Sequence, residues 1–424
     1  MENVIMHNFK QGNGSNDEQT LNTIRRQGLI SRAYIAKLTG LTPATVTNIT
    51  AKLLELGLVL EDSIGESSGG RRPLLLKINP KIAQVIIIHI RSEKMIGYLV
   101  DPGFRVHYKD IKIIKGMKKE EVIESMLSMI THCRQAATAT VPAVGVIVRG
   151  PVRIKEGISV FAPNIGWKNL PLKKIIEEKF SIPAFIENDA KALINGEYYY
   201  GSVKDADSMI LLKVSHGIGS GIMFNGKMYR GINGSAGEVG HTTIDVSGPV
   251  CSCGNYGCME ALASENALVN MVIKSIKEGQ KSLVDDLVNG ELANVTPEII
   301  YQAADAGDEV AIRMLGKVAR YLGIGIANLV NIFNPKIVVI GGGIVKARQY
   351  IEGIVRQTIW DRSFESCSSV LEIRFSTLAT ENTMKGAADM VFAEITQSMW
   401  LAQRVQHTGG IAIKQRLLSL RMRD

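Results

Sequence analysis

The sequence predicts an α/β protein in which a small N-terminal winged helix-turn-helix precedes a body of alternating strands and helices with two sheet-centred lobes. Three observations carry this. Residues 16–57 hold three short, separately capped helical patterns, the last two divided only by Gly40-Leu41-Thr42. Residues 85–340 alternate apolar strand runs with helical periods. Residues 237–260 gather one histidine, three of the five cysteines and two glutamates into a glycine-rich segment.

Along the chain, Asn16 caps a helix over 17–27, with Leu21 and Ile24 on one face and Gly28 as its stop. Ser31 caps 32–39, with Ile35 and Leu38 inward and Gly40 as the stop. Thr42 caps a third helix with Pro43 at its first position, where a missing N–H costs nothing. Val46, Ile49, Leu53 and Leu56 form its apolar stripe, and Gly57 ends it. A strand over 58–61, a turn over 63–70 and a strand over 74–78 read as a wing, whose turn carries Gly69-Gly70-Arg71-Arg72-Pro73. Further strands are expected over 85–90, 96–100, 143–148, 184–187, 208–214, 221–224 and 337–340. Helices are expected over 120–138, 173–180, 190–200, 264–278, 296–306 and 308–333. No tandem repeat is visible. The basic stretch from Trp400 reads as a peripheral helix or a frayed end.

The 424 residues leave room for roughly two to three domains. Hydrophobic residues at 46% against 21% charged suffice for buried cores. The longest apolar runs, 85–88 and 143–148, are too short to span a bilayer. Residues 1–19 carry no apolar signal region, which argues against export. Three clustered cysteines beside isolated Cys133 and Cys367 are not a disulfide framework, so a cytoplasmic location is expected. A net charge of +8 admits a polyanionic partner.

The exposed face of the third helix is Ala44, Thr45, Thr47, Asn48 and Lys52, with Thr42 at its start. Small polar side chains there suit base edges in a major groove. Arg71 and Arg72 suit phosphates or an adjacent minor groove. The alternative is a head that makes only protein contacts: residues 1–80 hold nine Lys/Arg against seven Asp/Glu. His241, Cys251, Cys253 and Cys258 supply the four ligands of a closed tetrahedral zinc shell, and Gly254 and Gly257 permit the tight backbone it needs. Free thiols are the plainer reading. Such a knot would fix Glu238 and Glu260, carboxylates suited to sugar hydroxyls. Asn188-Asp189 lies where a strand meets a helix, a place for ligands in α/β folds. There a carboxylate can take a proton from a hydroxyl, or the pair can simply cap the helix. Gly217–Gly221 and Gly341–Gly343 either cradle phosphate or form turns.

These segments together resemble the ROK family of repressors, open reading frames and kinases, and within it the sugar-responsive repressor branch. The resemblance runs from about residue 16 to 395. It rests on Gly-Gly-Arg-Arg-Pro (69–73), Arg-Gly-Pro-Val (149–152), Pro-Asn-Ile-Gly-Trp (163–167), Glu-Asn-Asp-Ala (187–190) and Gly-Ile-Gly-Ser-Gly (217–221). Gly-Ser-Ala-Gly-Glu-Val-Gly-His (234–241), the cysteine run 251–260 and Asn-Pro-Lys-Ile-Val-Val-Ile-Gly-Gly-Gly (334–343) complete it. It implies an actin-like ATPase (ribonuclease H-like) sugar-kinase fold that binds a sugar between its lobes. The chain then divides into a winged helix-turn-helix over 1–80, a first lobe over 83–204, a second lobe with the zinc knot over 205–381 and a basic tail over 397–424. A helix near 382–396 returns to the first lobe.

The resemblance also implies that Asn164, Asn188, Asp189, Glu238, His241 and Glu260 contact the sugar. Asp189 matches the catalytic base of the family's kinases. His241 would bind zinc with one ring nitrogen and face the sugar with the other. One stretch departs. Family kinases carry Asp-x-Gly-x-Thr-Lys for the phosphates and metal of ATP, and here the stretch is His89-Ile90-Arg91-Ser92-Glu93-Lys94. His89 replaces the metal-directed Asp, and Arg91 and Ser92 stand where glycine lets backbone approach phosphate. Glu93 adds a negative charge, repulsive toward phosphate by several kcal/mol in order of magnitude at low dielectric. A family Gly-Thr is also replaced at Ser215-His216. The expectation is a repressor without enzymatic activity. Its partners would be a double-stranded DNA operator and a monosaccharide or sugar-derivative effector, with structural Zn2+, a homodimer or higher homo-oligomer and no membrane contact. An ATP-dependent sugar kinase using Asp189 as general base is the alternative, and control by a protein partner a third reading.

Overall fold

The computed structural model describes residues 16–64, 73–162, 166–201, 203, 206, 208–376 and 378–407. Asn164, Arg71 and Arg72 lie outside these.

The N-terminal head holds the helices Asn16–Gln27, Arg32–Thr39 and Pro43–Glu55. Capping follows the sequence: Ser31 Oγ accepts the Tyr34 N–H at 3.2 Å, and Thr42 Oγ accepts the Thr45 N–H at 3.2 Å. Gly40 takes a left-handed φ of 70° that stops the second helix. A three-stranded antiparallel sheet completes the head, formed by β1 (Ile30–Ser31), β2 (Val59–Ile64) and β3 (Leu74–Ile78) in the order β1-β3-β2. Ile24, Ile35, Val46, Leu53 and Leu76 close its core. β1 has only two residues, too few for a periodicity signal. Leu56 is 48% exposed and leaves the predicted stripe, because the helix has ended at Glu55 and its 3.6-residue repeat no longer applies.

The body is built on two five-stranded sheets. The first contains β4 (Val85–Ile90), β5 (Lys94–Val100), β6 (Val106–Ile113) and β7 (Val144–Val148). A small antiparallel sheet follows, with β8 (Val152–Arg153), β9 (Ile158–Ala162) and β10 (Trp167–Leu170), before β11 (Ala184–Asn188) rejoins the first in the order β11-β7-β4-β5-β6. The second contains β12 (Ser208–Val214), β13 (Ile218–Phe224), β14 (Lys227–Met228), β15 (Ile337–Gly341) and β16 (Glu372–Phe375), ordered β14-β13-β12-β15-β16. Both obey one rule. The first strand is central, the second and third add antiparallel on one side, and the fourth and fifth add parallel on the other. This topological repeat leaves no sequence period, because the architecture recurs and the side chains do not. Central β4, β7 and β15 are buried along their whole length, hence their unbroken apolar runs. β6 is a mostly exposed edge rich in charge, so its sequence gave no strand signal.

The helix Asp189–Tyr200 joins the two halves and is buried from Asp189 to Glu197. Leu193 and Ile194 pack on Met209, Leu211, Met223 and Val339 of the second sheet. Ala192 packs with Ala387, Ala388 and Val391 of the helix Ala379–His407, which also lies on β4 and β7. That helix continues through Trp400 to His407, so a tail does not begin at 397. Gly219 and Gly221 lie within β13, correcting the reading of 217–221 as a connection between strands. A Cβ at Gly221 would sit 2.8 Å from Ile194 Cβ. These glycines admit the helix to the strand, and their backbone groups serve the sheet. No helix among the described residues is long and apolar enough to cross a membrane.

Candidate functional site

The carboxyl ends of β4, β7 and β11 face those of β12 and β15 across a cleft of about 1910 Å³. Asn188, Asp189, Glu238, His241 and Glu260 all line it. Asn188 is the cap of its helix: Oδ1 accepts the N–H groups of Ala190 and Lys191 at 2.9 and 3.2 Å, and Nδ2 donates to Gly150 O at 3.0 Å. Asp189 opens that helix and pairs with Lys213 Nζ. Burial alone would raise the Asp189 carboxyl, but the Lys213 ammonium holds it below its ordinary value. Glu238 is pushed up by burial despite Lys191 and His241 nearby. Glu260 Oε2 accepts the Ile218 N–H at 2.9 Å, and its Oε1 accepts Ser252 Oγ–H at 3.2 Å. The cleft therefore presents these three carboxylates, of which Asp189 and Glu238 are shifted in opposite directions, beside a histidine, a pattern suited to a ligand dense in hydroxyl groups.

His241, Cys251, Cys253 and Cys258 converge at the edge of this cleft, their ligand atoms all within 4.8 Å of one another. His241 Nδ1 lies 3.6 Å from Cys251 Sγ, and Cys253 Sγ lies 3.8 Å from Cys258 Sγ. A tetrahedron with Zn–S of ~2.3 Å and Zn–N of ~2.0–2.1 Å has S···N edges of ~3.6 Å and S···S edges of ~3.8 Å. Donor set and edge lengths are thus compatible with a structural zinc ion. Gly257 holds φ at 63° where a Cβ would collide with the Asp245 carbonyl, which brings Cys258 back toward His241. With Nδ1 turned to the sulfurs, the Nε2 side of His241 is the one left for the cleft.

Residues 89–94 border the cleft. His89 is buried, both ring nitrogens lack a partner among the described residues, and burial, then Lys213, push it down to about 3. It is neutral at physiological pH. Ser92 Oγ accepts from Arg149 at 2.7 Å. Glu93 departs from expectation: half-exposed, it pairs with Lys115 at 2.8 Å, so the repulsion of a bare buried anion does not apply to it. A different carboxylate stands at the later glycines. Buried Glu265 accepts Tyr301 OH at 2.8 Å and packs where a side chain on Gly343 would project. Burial pushes it up to about 6. Neither Lys213 nor Glu265 was singled out from sequence. Lys213 did leave a trace, a single cation inside the apolar run Met209–Val214. Glu265 looked like an ordinary first-turn acid.

In the head, Thr42, Ala44, Thr47, Asn48 and Lys52 are exposed and Thr45 is half-buried. Thr47 Oγ donates to Pro43 O at 2.8 Å, Thr42 and Thr45 share a hydroxyl contact of 2.9 Å, and Lys52 pairs with Asp17 at 2.7 Å. The basic residues do not all face outward as a duplex-facing group: Arg25 and Arg26 turn inward to Asp389.

The ROK family model matches residues 95–394. The chain belongs to the ROK family. It is 36% identical to the xylose repressor of Caldicellulosiruptor bescii over 88% of this chain and 94% of that one. A ROK family transcriptional regulator described as a homolog of the E. coli MLC protein superposes with a TM-score of 0.77 at 30% identity, covering 92% of this chain and 98% of that one. A ROK family glucokinase from Streptomyces griseus, in complex with glucose and AMPPNP, gives 0.65 at 28% identity over 72% of this chain and 98% of that one. The mixed α/β fold is thus shared by ROK regulators and ROK sugar kinases.

Proposed function

We propose that this ROK protein is a sugar-responsive, DNA-binding transcriptional repressor without kinase activity. The observation that carries the reading is the pairing of Asp189 with Lys213 beside a neutral His89. The kinase alternative needs Asp189 as a general base, and a carboxylate held below its ordinary range is a weak one. It also needs a metal-directed carboxylate where His89 stands. Glu265 beside Gly343 further disfavours a nucleotide phosphate. The extended match to a xylose repressor and to a ROK regulator supports the same assignment.

In this reading residues 1–80 form a winged helix-turn-helix. Thr42, Ala44, Thr45, Thr47, Asn48 and Lys52 meet base edges, and Arg71 and Arg72 meet phosphates. Lobes over 83–204 and 205–381 hold a monosaccharide between Asn164, Asn188, Asp189, Glu238, His241 and Glu260. Zinc bound by His241, Cys251, Cys253 and Cys258 fixes the wall from behind, with His241 Nε2 toward the sugar. A homodimer would place two heads on half-sites about one helical turn, or a multiple, apart. Duplexes selected from a random pool, then titrated with a panel of pentoses, hexoses and amino sugars, test the proposal. Selected binding weakened or strengthened by one sugar is expected. A protein that selects no duplex, or ignores every sugar, refutes it. The kinase reading is favoured by Asp189 in the cleft and by the retained glycines at 217–221 and 341–343. Sugar-dependent ADP release abolished by Asp189→Asn would establish it instead.

A further inference from the structure

We propose that Asp389 is the positioning residue of the DNA-binding head, and that the helix Asp189–Tyr200 delivers the state of the sugar cleft to it. The proposal rests on the repressor reading above and specifies its regulation.

Asp389 lies on the helix Ala379–His407 with its side chain only 1% exposed. Two arginines of the head's first helix converge on it. Arg25 Nη1 is 2.7 Å from Oδ1, and Arg26 donates through Nε to Oδ1 and Nη2 to Oδ2, both at 3.0 Å. Arg25 is held in turn by Asn22 Oδ1 at 2.8 Å. The same carboxylate accepts Asn195 Nδ2 at 3.0 Å and Tyr200 OH at 2.7 Å. Arg26 stacks 3.9 Å over the Tyr199 ring, and Arg25 lies 5.7 Å from both the Phe104 and Phe392 rings. One buried group therefore binds the head, the C-terminal helix and the helix that begins at Asp189. Its lone-pair sites are all engaged. Its directional, bidentate bonds fix an orientation that an apolar contact would not.

Asp189 and Tyr200 are the two ends of one rod, twelve residues or ~18 Å long. Asp189 lines the cleft and Tyr200 touches Asp389. The rod packs almost backbone to backbone on its neighbours. A Cβ at Gly386 would collide with Ala192 O, one at Gly196 with the Asn382 carbonyl, and one at Gly221 with Ile194. Because β13 of the second sheet and the C-terminal helix on the first sheet both grip this rod, a change in the angle between the sheets reaches Tyr200 and Asn195. The head follows through Arg25 and Arg26. Chains of packed side chains and hydrogen bonds of this kind can carry coupling between two sites, and the variants below measure whether this one does.

The test uses the full chain, the duplex selected by the wild type, and D-xylose followed by the sugar panel as effector probes. Operator affinity is measured with and without sugar by fluorescence anisotropy, sugar binding by thermal shift, and head docking by hydrogen exchange over 16–27. Wild type should show an effector ratio of roughly 5–150-fold. Asp389→Asn and Tyr200→Phe should keep the sugar-induced thermal shift yet bring that ratio down toward one. Asp389→Asn should also speed exchange over 16–27. Folded variants that keep the wild-type ratio and protection overturn the proposal. Should Asp389→Asn not fold, Tyr200→Phe, which removes one hydroxyl, decides by the same criteria. A wild type that binds no duplex or answers no sugar refutes the repressor reading. The exchange measurement then still decides whether Asp389 holds the head, and unchanged protection in Asp389→Asn overturns that too.

Discussion

Replacing Lys213 by Met isolates a buried carboxylate and makes the electrostatics of the cleft measurable. The side chains of Lys213 and Asp189 are 12% and 6% exposed, so solvent screens the pair weakly. No other hydrogen bond reaches the Asp189 carboxylate among the described residues. Removing one partner of a buried pair costs about 3–5 kcal/mol. The charge of Arg149 still acts on Asp189, which puts the expectation toward the lower figure. For a unit of 150–250 residues, at about 2–4 °C per kcal/mol, that is a fall in Tm of roughly 6–12 °C for a 3 kcal/mol loss.

The pH dependence has a defined sign. In wild type the folded pKa of Asp189 is depressed, so its contribution is present above the unfolded value of ~3.9 and lost as pH falls through the folded one. In Lys213→Met burial is the leading influence and raises the folded pKa. The charged form is then disfavoured in the fold at neutral pH, and protonation relieves the cost as pH falls. The gap between variant and wild type should be widest near pH 7–8 and narrow toward ~4. Differential scanning fluorimetry across this range reads it. The double variant Lys213→Met/Asp189→Leu should recover much of the loss, since no unpaired charge remains buried. Equal melting of Lys213→Met and wild type at pH 7.5, or a gap independent of pH, would refute the assignment of Lys213 as the group holding Asp189 ionised.

Cys253→Ser should lose its metal, read by elemental analysis as a drop from about one zinc per chain toward none; a wild type purified without zinc would overturn the closed-shell reading. Gly221→Val should overpack the contact between β13 and the helix Asp189–Tyr200 and lower stability by about 1–3 kcal/mol in denaturant titration. An unchanged midpoint would mean the helix has room to move. Asn48→Ala should reduce discrimination at one base position by about 1–3 kcal/mol, measured on single-base variants of the selected duplex. Arg71→Ala and Arg72→Ala should each lower the slope of log affinity against log salt by about 0.9, with unchanged slopes excluding phosphate contact.

The head was legible nearly residue by residue, because Ser31, Gly40, Thr42, Pro43 and Gly57 act within one or two turns of their own position. The central strands were legible for a related reason: burial on both faces imposes an apolar run. Edge strand β6 and two-residue β1 were not, since the pairing that makes them strands comes from distant segments. The convergence of His241 with the three cysteines was legible because all four residues fall within eighteen positions, 241–258. The engagement of Asp189 by Lys213, of Glu265 by Tyr301 and of Asp389 by Arg25 and Arg26 was hidden. Their separations of 24, 36 and more than 360 residues carry no local pattern.

By itself the sequence determined the family, the capped helices of the head, the apolar strands and the His/Cys ligand set, because each depends on residue types at short, fixed spacing. Only the tertiary structure decided that Glu93 pairs with Lys115 and that Asp189 faces a cation. Only it revealed that the glycines after Ser215 receive a helix and that two head arginines close on a buried aspartate. Those outcomes depend on which side chains meet across the chain, and on what burial then does to their charge.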